Sequence, residues 1–403
     1  VRVQFEKQIG GTMMKRFATM MGALLLVPTM ACAELIGIAE LTKEVPETWL
    51  EKIDVNGKTV SVDVPIYMPE VEKIDVLRIG RIEFHEDELR KGLGSDGVID
   101  SNFKNYMNYI VDDYSKQYGN GYFWNEDECL NDAWKLNEQS LSNIYAENQQ
   151  ISVYDAMKKA EKEMAGVLHE PLGFRIEKIR VNSSFQKTKK PGKHISDGTF
   201  PLGDLTGIGR YWITEKETIN GIPLLATVAG GYLNDKDLQT SVGEALCFAY
   251  PRIHFIWHGE RLHSFYFGDL FEPLEIIKDN IQFCSFRLIK EALENEIESG
   301  SISNVYSIQF GYIICADPSQ KYGSPRSGET FIAFPMWVIK CSYTVGNGPT
   351  SPYPVLEEME ENAFDYESAD RDLQYVFINA QTGKVCDPNT EGTEKYNVPQ
   401  IIE

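Results

Sequence analysis

Histidines crowd into one short stretch of this chain. His254, His258 and His263 lie close together with Glu260 between them, although the 403 residues hold six histidines in all. Imidazole nitrogens joined by a carboxylate are the usual ligands of zinc-like ions. On a strand, residues 254, 256 and 258 share a face, so His254 and His258 could converge on a metal with Glu260. Neighbouring side chains on that face diverge, however, and a turn is poor support for a ligand set, so ordinary surface histidines are the better reading. Ser184-Phe185-Gln186-Lys187 fits the S-x-x-K pattern, but the S-D-N and K-T-G elements that should accompany it are missing. No G-x-S-x-G, H-E-x-x-H, Walker or dinucleotide-binding pattern stands in a suitable context. Among 60 acidic residues, any pair chosen for glycoside hydrolysis would be arbitrary, because separation in space decides that chemistry. The run Glu357-Glu358-Met359-Glu360-Glu361, with Asp365, reads as a solvated acidic loop rather than a calcium site. The expectation is no catalytic residue, no metal ligand and no cofactor.

Cysteine is the other reactive type. Cys247, Cys284, Cys315 and Cys341 sit inside apolar runs, where a thiol behaves as a small hydrophobe, and no C-x-x-C pair occurs. Cys32 differs. Met13-Met14 are followed by Lys15-Arg16, an apolar run from Phe17 to Val27, and then Pro28-Thr29-Met30-Ala31-Cys32-Ala33, the layout of a secretory signal. Residues 1–33 are therefore expected to be upstream residues plus a cleaved signal. Ala31-Cys32-Ala33 suits release of a soluble product. Acylation of Cys32 as the lipid-accepting cysteine of a lipoprotein, which would add a membrane anchor, is favoured over it. Both routes place the protein outside the cytoplasm, and with Cys32 acylated six cysteines remain, which permits disulfides there.

The formal charge of −21 and pI of about 4.8 argue against nucleic acid, since phosphates need a basic face. A chain of this length suggests two domains. An N-terminal α+β domain is expected over residues 34–185, a linker or long loop over 186–207, and a C-terminal α+β domain over 208–403. In the first, Asn56-Gly57 predicts a hairpin turn, with Val60, Val62, Val64 and Ile66 alternating after it. Short helices are predicted over 84–92, 102–116 and 126–145. A firmer one runs from Ser152 to Val167, where Val153, Ala156, Met157, Ala160 and Met164 recur at helical spacing. In the linker Lys187, Lys189, Lys190 and Lys193 form a basic cluster that reads as a solvated loop. Beyond it, strands are predicted over 209–219 and 222–230, joined at Asn220-Gly221, and over 252–258 and 261–267. A helix follows over 273–298, then strands over 304–315, 331–344 and 373–380. The fold class expected is α+β, with antiparallel sheets each packed against one or more helices. Trp212, Trp257 and Trp337 have the size to anchor a sheet core, with sugar stacking as the alternative.

The ordered set GRYWITEKETINGIPLL (209–225), IHFIWHGERLHSFYF (253–267), FGYI (310–313), FPMWVIK (334–340) and YVFINAQTGKV (375–385) resembles the PepSY/YycH-type extracytoplasmic modules of low-GC Gram-positive bacteria. The likeness covers about half the chain. The whole layout is similar to uncharacterised lipoproteins of that group. The resemblance implies two PepSY/YycH-like domains and brings no catalytic residues. YycH-type proteins regulate a membrane sensor kinase, and PepSY segments are associated with protease control. The function expected is a non-catalytic cell-envelope protein binding a peptide, protein or envelope component through a sheet face or exposed edge. The alternatives are an extracytoplasmic hydrolase with a dispersed His/carboxylate site, or a regulator of a membrane kinase or protease.

Overall fold

The structure, a computed structural model, describes residues 35–55, 58–82, 98–103, 106–110, 122–123, 126–146, 149–164, 173–182, 186–187, 210–227, 252–258, 261–268, 270–300, 302–317, 330–343 and 373–386. Helix α1 (Ile38–Glu44) precedes strands β1 (Thr48–Val55), β2 (Lys58–Tyr67) and β3 (Val76–Arg81). Next come β4 (Val98–Phe103), β5 (Tyr106–Ile110), β6 (Tyr122–Phe123) and β7 (Glu126–Asn131), then helices α2 (Glu138–Leu141) and α3 (Val153–Met164). Strands β8 (Gly173–Asn182), β9 (Gln186–Lys187), β10 (Arg210–Ile219) and β11 (Ile222–Thr227) follow. Then β12 (Arg252–His258), β13 (Arg261–Gly268) and β14 (Phe271–Lys278) lead to helix α4 (Phe286–Glu298). The last strands are β15 (Ile302–Ala316), β16 (Thr330–Tyr343), β17 (Leu373–Asn379) and β18 (Val385–Cys386).

The α+β expectation, with its PepSY/YycH-like antiparallel sheets, is overturned. The described residues are mostly β, and sixteen strands join one curled, mixed sheet. Its path runs β14-β3-β16-β15-β11-β10-β12-β13-β5-β4, with the remaining strands branching from it and β6 pairing with β9 apart. Pairing is parallel where β15 meets β11 and β2 and antiparallel elsewhere. Three stretches that read as helical supply strands instead. The 102–116 stretch holds β5, 126–145 begins with β7, and 273–298 begins inside β14. Tyr- and Ile-bearing segments suit a pleated surface as well as a helix, and the neighbour decides: β5 lies between β13 and β4, and β7 pairs with β8. Pro273 has no N–H to give a ladder, which an edge strand such as β14 tolerates. The 84–92 segment and Asn56-Gly57 lie outside the described residues. Val55 does pair with Lys58, so β1 and β2 close with two residues between them.

Two apolar cores form. One holds Phe310, Phe331, Phe334 and Trp337 from β15 and β16, covered by Ile38 and Leu41 of α1 and by Phe286, Ile289, Leu293 and Ile297 of α4. The other holds Ile179, Tyr211, Ile213, Phe255 and Trp257 beneath Val153, Ala156, Met157 and Ala160 of α3. Both cores take strands from either side of residues 186–207.

Local chemistry explains the helix ends. Ser152 Oγ accepts from the Asp155 N–H (3.1 Å), a side-chain N-cap that starts α3, and donates to the Asp155 carboxylate (2.9 Å). The start of α4 is capped from another element, because Glu44 Oε2 accepts from the Phe286 N–H at 3.0 Å. Between β10 and β11, Asn220 (φ 53°) and Gly221 (φ 80°) both occupy the left-handed region that a type I′ turn needs. Gly221→Val, a β-branched residue forced into that region, is expected to cost about 1–2 kcal/mol, read as a lower urea midpoint at unchanged slope.

Candidate functional site

Strand β10 concentrates the polar residues that burial makes informative. It is paired on both sides, by β8 and β12, yet Thr214, Glu215, Lys216, Glu217 and Thr218 are all buried. Charges so placed are costly unless matched, so each partner matters.

On one part of the strand, Thr214 Oγ1 lies 2.9 Å from His254 Nδ1, and Trp212 Nε1 donates toward the same nitrogen at 3.4 Å. Indole nitrogen only donates, so Nδ1 is the acceptor and the imidazole proton sits on Nε2. The Arg180 guanidinium lies over the Trp212 ring, 5.6 Å from its centroid. His254 is thus held by its strand neighbours. It stands four positions from His258 along β12, about 13 Å of extended chain. The side chains of His258 and His263, and Glu260 altogether, lie outside the described residues. Among those described, no group of three or more His, Cys, Asp or Glu could hold a metal. Of the three tryptophans singled out, Trp257 and Trp337 are core residues and Trp212 is half-buried.

Further along, Arg175 Nη2 donates to Glu177 Oε2 and to Gln309 Oε1, both at 2.7 Å. Lys216 Nζ lies 3.6 Å from Glu177 Oε1 and donates to the Leu225 carbonyl at 3.3 Å. Burial pushes the Glu177 carboxyl up, but Lys216, Arg175 and Lys340 outweigh it and hold the group below the usual carboxylate range. Arg175 Nε and Nη1 are buried without hydrogen-bond partners. The rings of Tyr67 (4.1 Å) and Trp134 (5.6 Å) lie against the guanidinium and supply cation–π contact in their place. This cluster ties β8 and β10 to β2 and β15. A permanently charged guanidinium beside a carboxylate held ionised fixes geometry and has no proton to exchange near neutral pH.

The two remaining glutamates behave alike, and oppositely to Glu177. Both carboxyl oxygens of Glu217 accept from the Phe271 N–H, at 3.0 and 3.1 Å, and burial pushes this group well above the ordinary range. Burial pushes Glu215 up to about 8, repulsion from Glu161 adds to the shift, and Lys158 opposes it. Glu215 Oε2 has no hydrogen-bond partner. A carboxyl with such a value could serve as a general acid, but it would have to touch a reacting atom, and this one is buried.

The surface feature that sequence reasoning missed is β14. Leu274 (51% exposed), Ile276 (51%) and Ile277 (37%) stand outward on a strand at the end of the sheet path. Its ladder to β3 shifts register twice, between Pro273 and Glu275 and between Ile276 and Lys278. Glu275 is held by Arg78, which also donates to Asp317 Oδ2 at 2.8 Å. Bulges, a proline and flanking charges are the devices that keep an edge from adding a further strand. The signal was present as β-branched Ile276-Ile277 after Pro273, but the same letters also suit a helix.

Cys284, Cys315 and Cys341 are buried, and burial pushes the Cys284 and Cys341 thiols up to about 12, as expected of small core hydrophobes. Cys32, Ser184, the lysines of 189–193 and the acidic run 357–365 lie outside the described residues. Among those described, no helix is long and apolar enough to cross a membrane.

No known protein family matches the chain, and no curated protein matches it. It is similar in fold to an uncharacterised protein from Eubacterium rectale ATCC 33656 whose crystal structure was solved at 1.45 Å resolution. The likeness has a TM-score of 0.50 at 13% identity, and covers 88% of this chain and 99% of that one.

Proposed function

We propose that this chain is an exported, non-catalytic protein of the cell envelope that binds a peptide or protein partner, with β14 as the contact. The observation that carries the reading is the outward apolar group Leu274, Ile276 and Ile277, since contiguous exposed apolar side chains mark interaction surfaces. The double register shift and Pro273 dictate the mode. A partner reads the side chains from the side and does not extend the ladder, because the bulged edge offers no regular row of N–H and C=O groups. Export and Cys32 acylation remain part of the proposal on the strength of the N-terminal signal pattern.

The test is site-specific photocrosslinking in the native envelope, with the reactive side chain at position 277 and, as a control, at exposed position 50 on β1. A discrete polypeptide adduct is expected from 277 alone. Ile276→Asp should weaken its formation about 10–100-fold, the worth of about 1.5–3 kcal/mol of apolar contact, without lowering the thermal midpoint. Equal adducts from both positions, or insensitivity to Ile276→Asp, would overturn the assignment of β14.

A further inference from the structure

The Lys158–Glu161 ion pair of α3 (2.7 Å) acts on a carboxyl in the sheet beneath it. That carboxyl is Glu215. It is buried, its Oε2 has no hydrogen-bond partner, and the described charged groups that act on it are Glu161 and Lys158 alone. Its backbone partners across β8 and β12 are Ile176 and Ile253, which carry no charge. Around it, the apolar stripe Val153, Ala156, Met157 and Ala160 lies on Ile179, Ile213, Phe255 and Trp257. A neutral carboxyl fits such a place at modest cost. A carboxylate there has one oxygen without a donor and a like charge on the helix above it.

We propose that Glu215 is a proton-operated latch: while its carboxyl is neutral α3 stays on the sheet, and loss of the proton releases the helix. Among the described residues, the cation that acts on it is Lys158, which is already engaged by Glu161 and also lies over the Tyr154 ring at 5.8 Å, while the neighbouring Lys159 lies over the Trp257 ring at 5.9 Å. Water must therefore solvate the new charge, and the shortest route for it is separation of α3 from the sheet, where it packs on β12 and β13. Helix α3 spans 12 residues and cannot hold its conformation alone at that length. Release thus means local unfolding, which bares the apolar side chains it covered on the sheet. The sign follows from the two states. The closed form holds the Glu215 proton up to about pH 8, while an exposed glutamate gives it up near its ordinary 4.5. The closed form binds more protons over that interval, so its advantage falls as pH rises and is fully spent above the upper value.

The experiment is hydrogen exchange of the full chain between pH 6.5 and 9.5, corrected for the intrinsic pH dependence of exchange and read separately for residues 153–164 and 286–298. In the unmodified protein, protection of 153–164 is expected to fall at least tenfold across the range while 286–298 stays protected. Glu215→Gln should abolish the fall, and Glu215→Leu supplies the same test should the amide prove disruptive. Lys158→Met removes the opposing cation and should move the midpoint to higher pH. The proposal is overturned by a flat profile in the unmodified protein, by the same decline in the Glu215 variants, or by parallel loss of protection in both helices. No partner is needed for this measurement, so its outcome is independent of the role assigned to β14.

Discussion

Gly311→Ala is expected to destabilise the protein by about 3 kcal/mol, one of the largest effects of any single substitution here. A Cβ at position 311 would lie 2.6 Å from the carbonyl oxygen of Pro223 and 2.7 Å from Leu225 Cγ. The first is a backbone atom of β11, which runs parallel to β15 with Leu224 opposite Tyr312. Because β11 is also tied to β10 through the Asn220-Gly221 hairpin, it has no direction in which to withdraw without opening the ladder that joins the two halves of the sheet. The cost is thus steric and set by position, unlike that of a glycine chosen for its dihedral angles. Gly37→Ala is the control, since nothing lies within 4 Å of a Cβ there. Urea unfolding should show a lower midpoint for Gly311→Ala and none for Gly37→Ala. Equal behaviour of the two variants would contradict the close approach of β11 to β15.

Trp337→Ala should cost about 3–5 kcal/mol, by a different mechanism. Trp337 is fully buried on β16, with Phe310 at 5.0 Å and an interplanar angle of 79°, and Phe286 at 5.3 Å and 50°. Phe310 comes from β15 and Phe286 from α4, so the indole is where the sheet meets the helix that covers it. Truncation leaves a cavity walled by three elements that are each held by ladders or caps, and such walls collapse only in part. Trp337→Phe separates volume from polarity. The indole Nε1 has no hydrogen-bond partner, so its removal forfeits no bond and relieves an unsatisfied donor. The phenylalanine variant should therefore lose only about 1 kcal/mol. Calorimetric or urea unfolding of the two variants checks both values, and similar losses in both would show that ring volume is not what Trp337 contributes.

The features that were legible in the sequence are those that one segment decides for itself. Asn220-Gly221 reads as a tight turn because both residues accept a positive φ, and that is what they adopt. The spacing of Val153, Ala156, Met157 and Ala160 reads as one face of a helix, and each of them is buried. Scattered cysteines in apolar runs read as core thiols, and Cys284, Cys315 and Cys341 are buried. The errors fall where two conformations suit the same letters. Tyr106 to Ile110 and Phe271 to Lys278 carry residues that satisfy helix and strand alike, and their state is set in part by β13 and β3, which are distant from them in sequence. The helical reading of 273–278 hides the candidate site, since an edge exists only for a strand, and among the described residues β14 pairs with β3 alone.

The charged letters of β10 show the same division. Glu215, Lys216 and Glu217 in mid-strand announce burial or exposure equally well. Only the packing brings Glu177 within reach of Lys216, aims Glu217 at the Phe271 N–H, and leaves Glu215 buried with an unmatched oxygen. By itself the sequence determined turns, caps, helix periodicity and net charge, because each depends on dihedral preference or composition within a few residues. The tertiary structure decided which strands pair, which edge stays open and which buried charge is neutralised, because desolvation and ladder bonding depend on groups brought together across hundreds of residues.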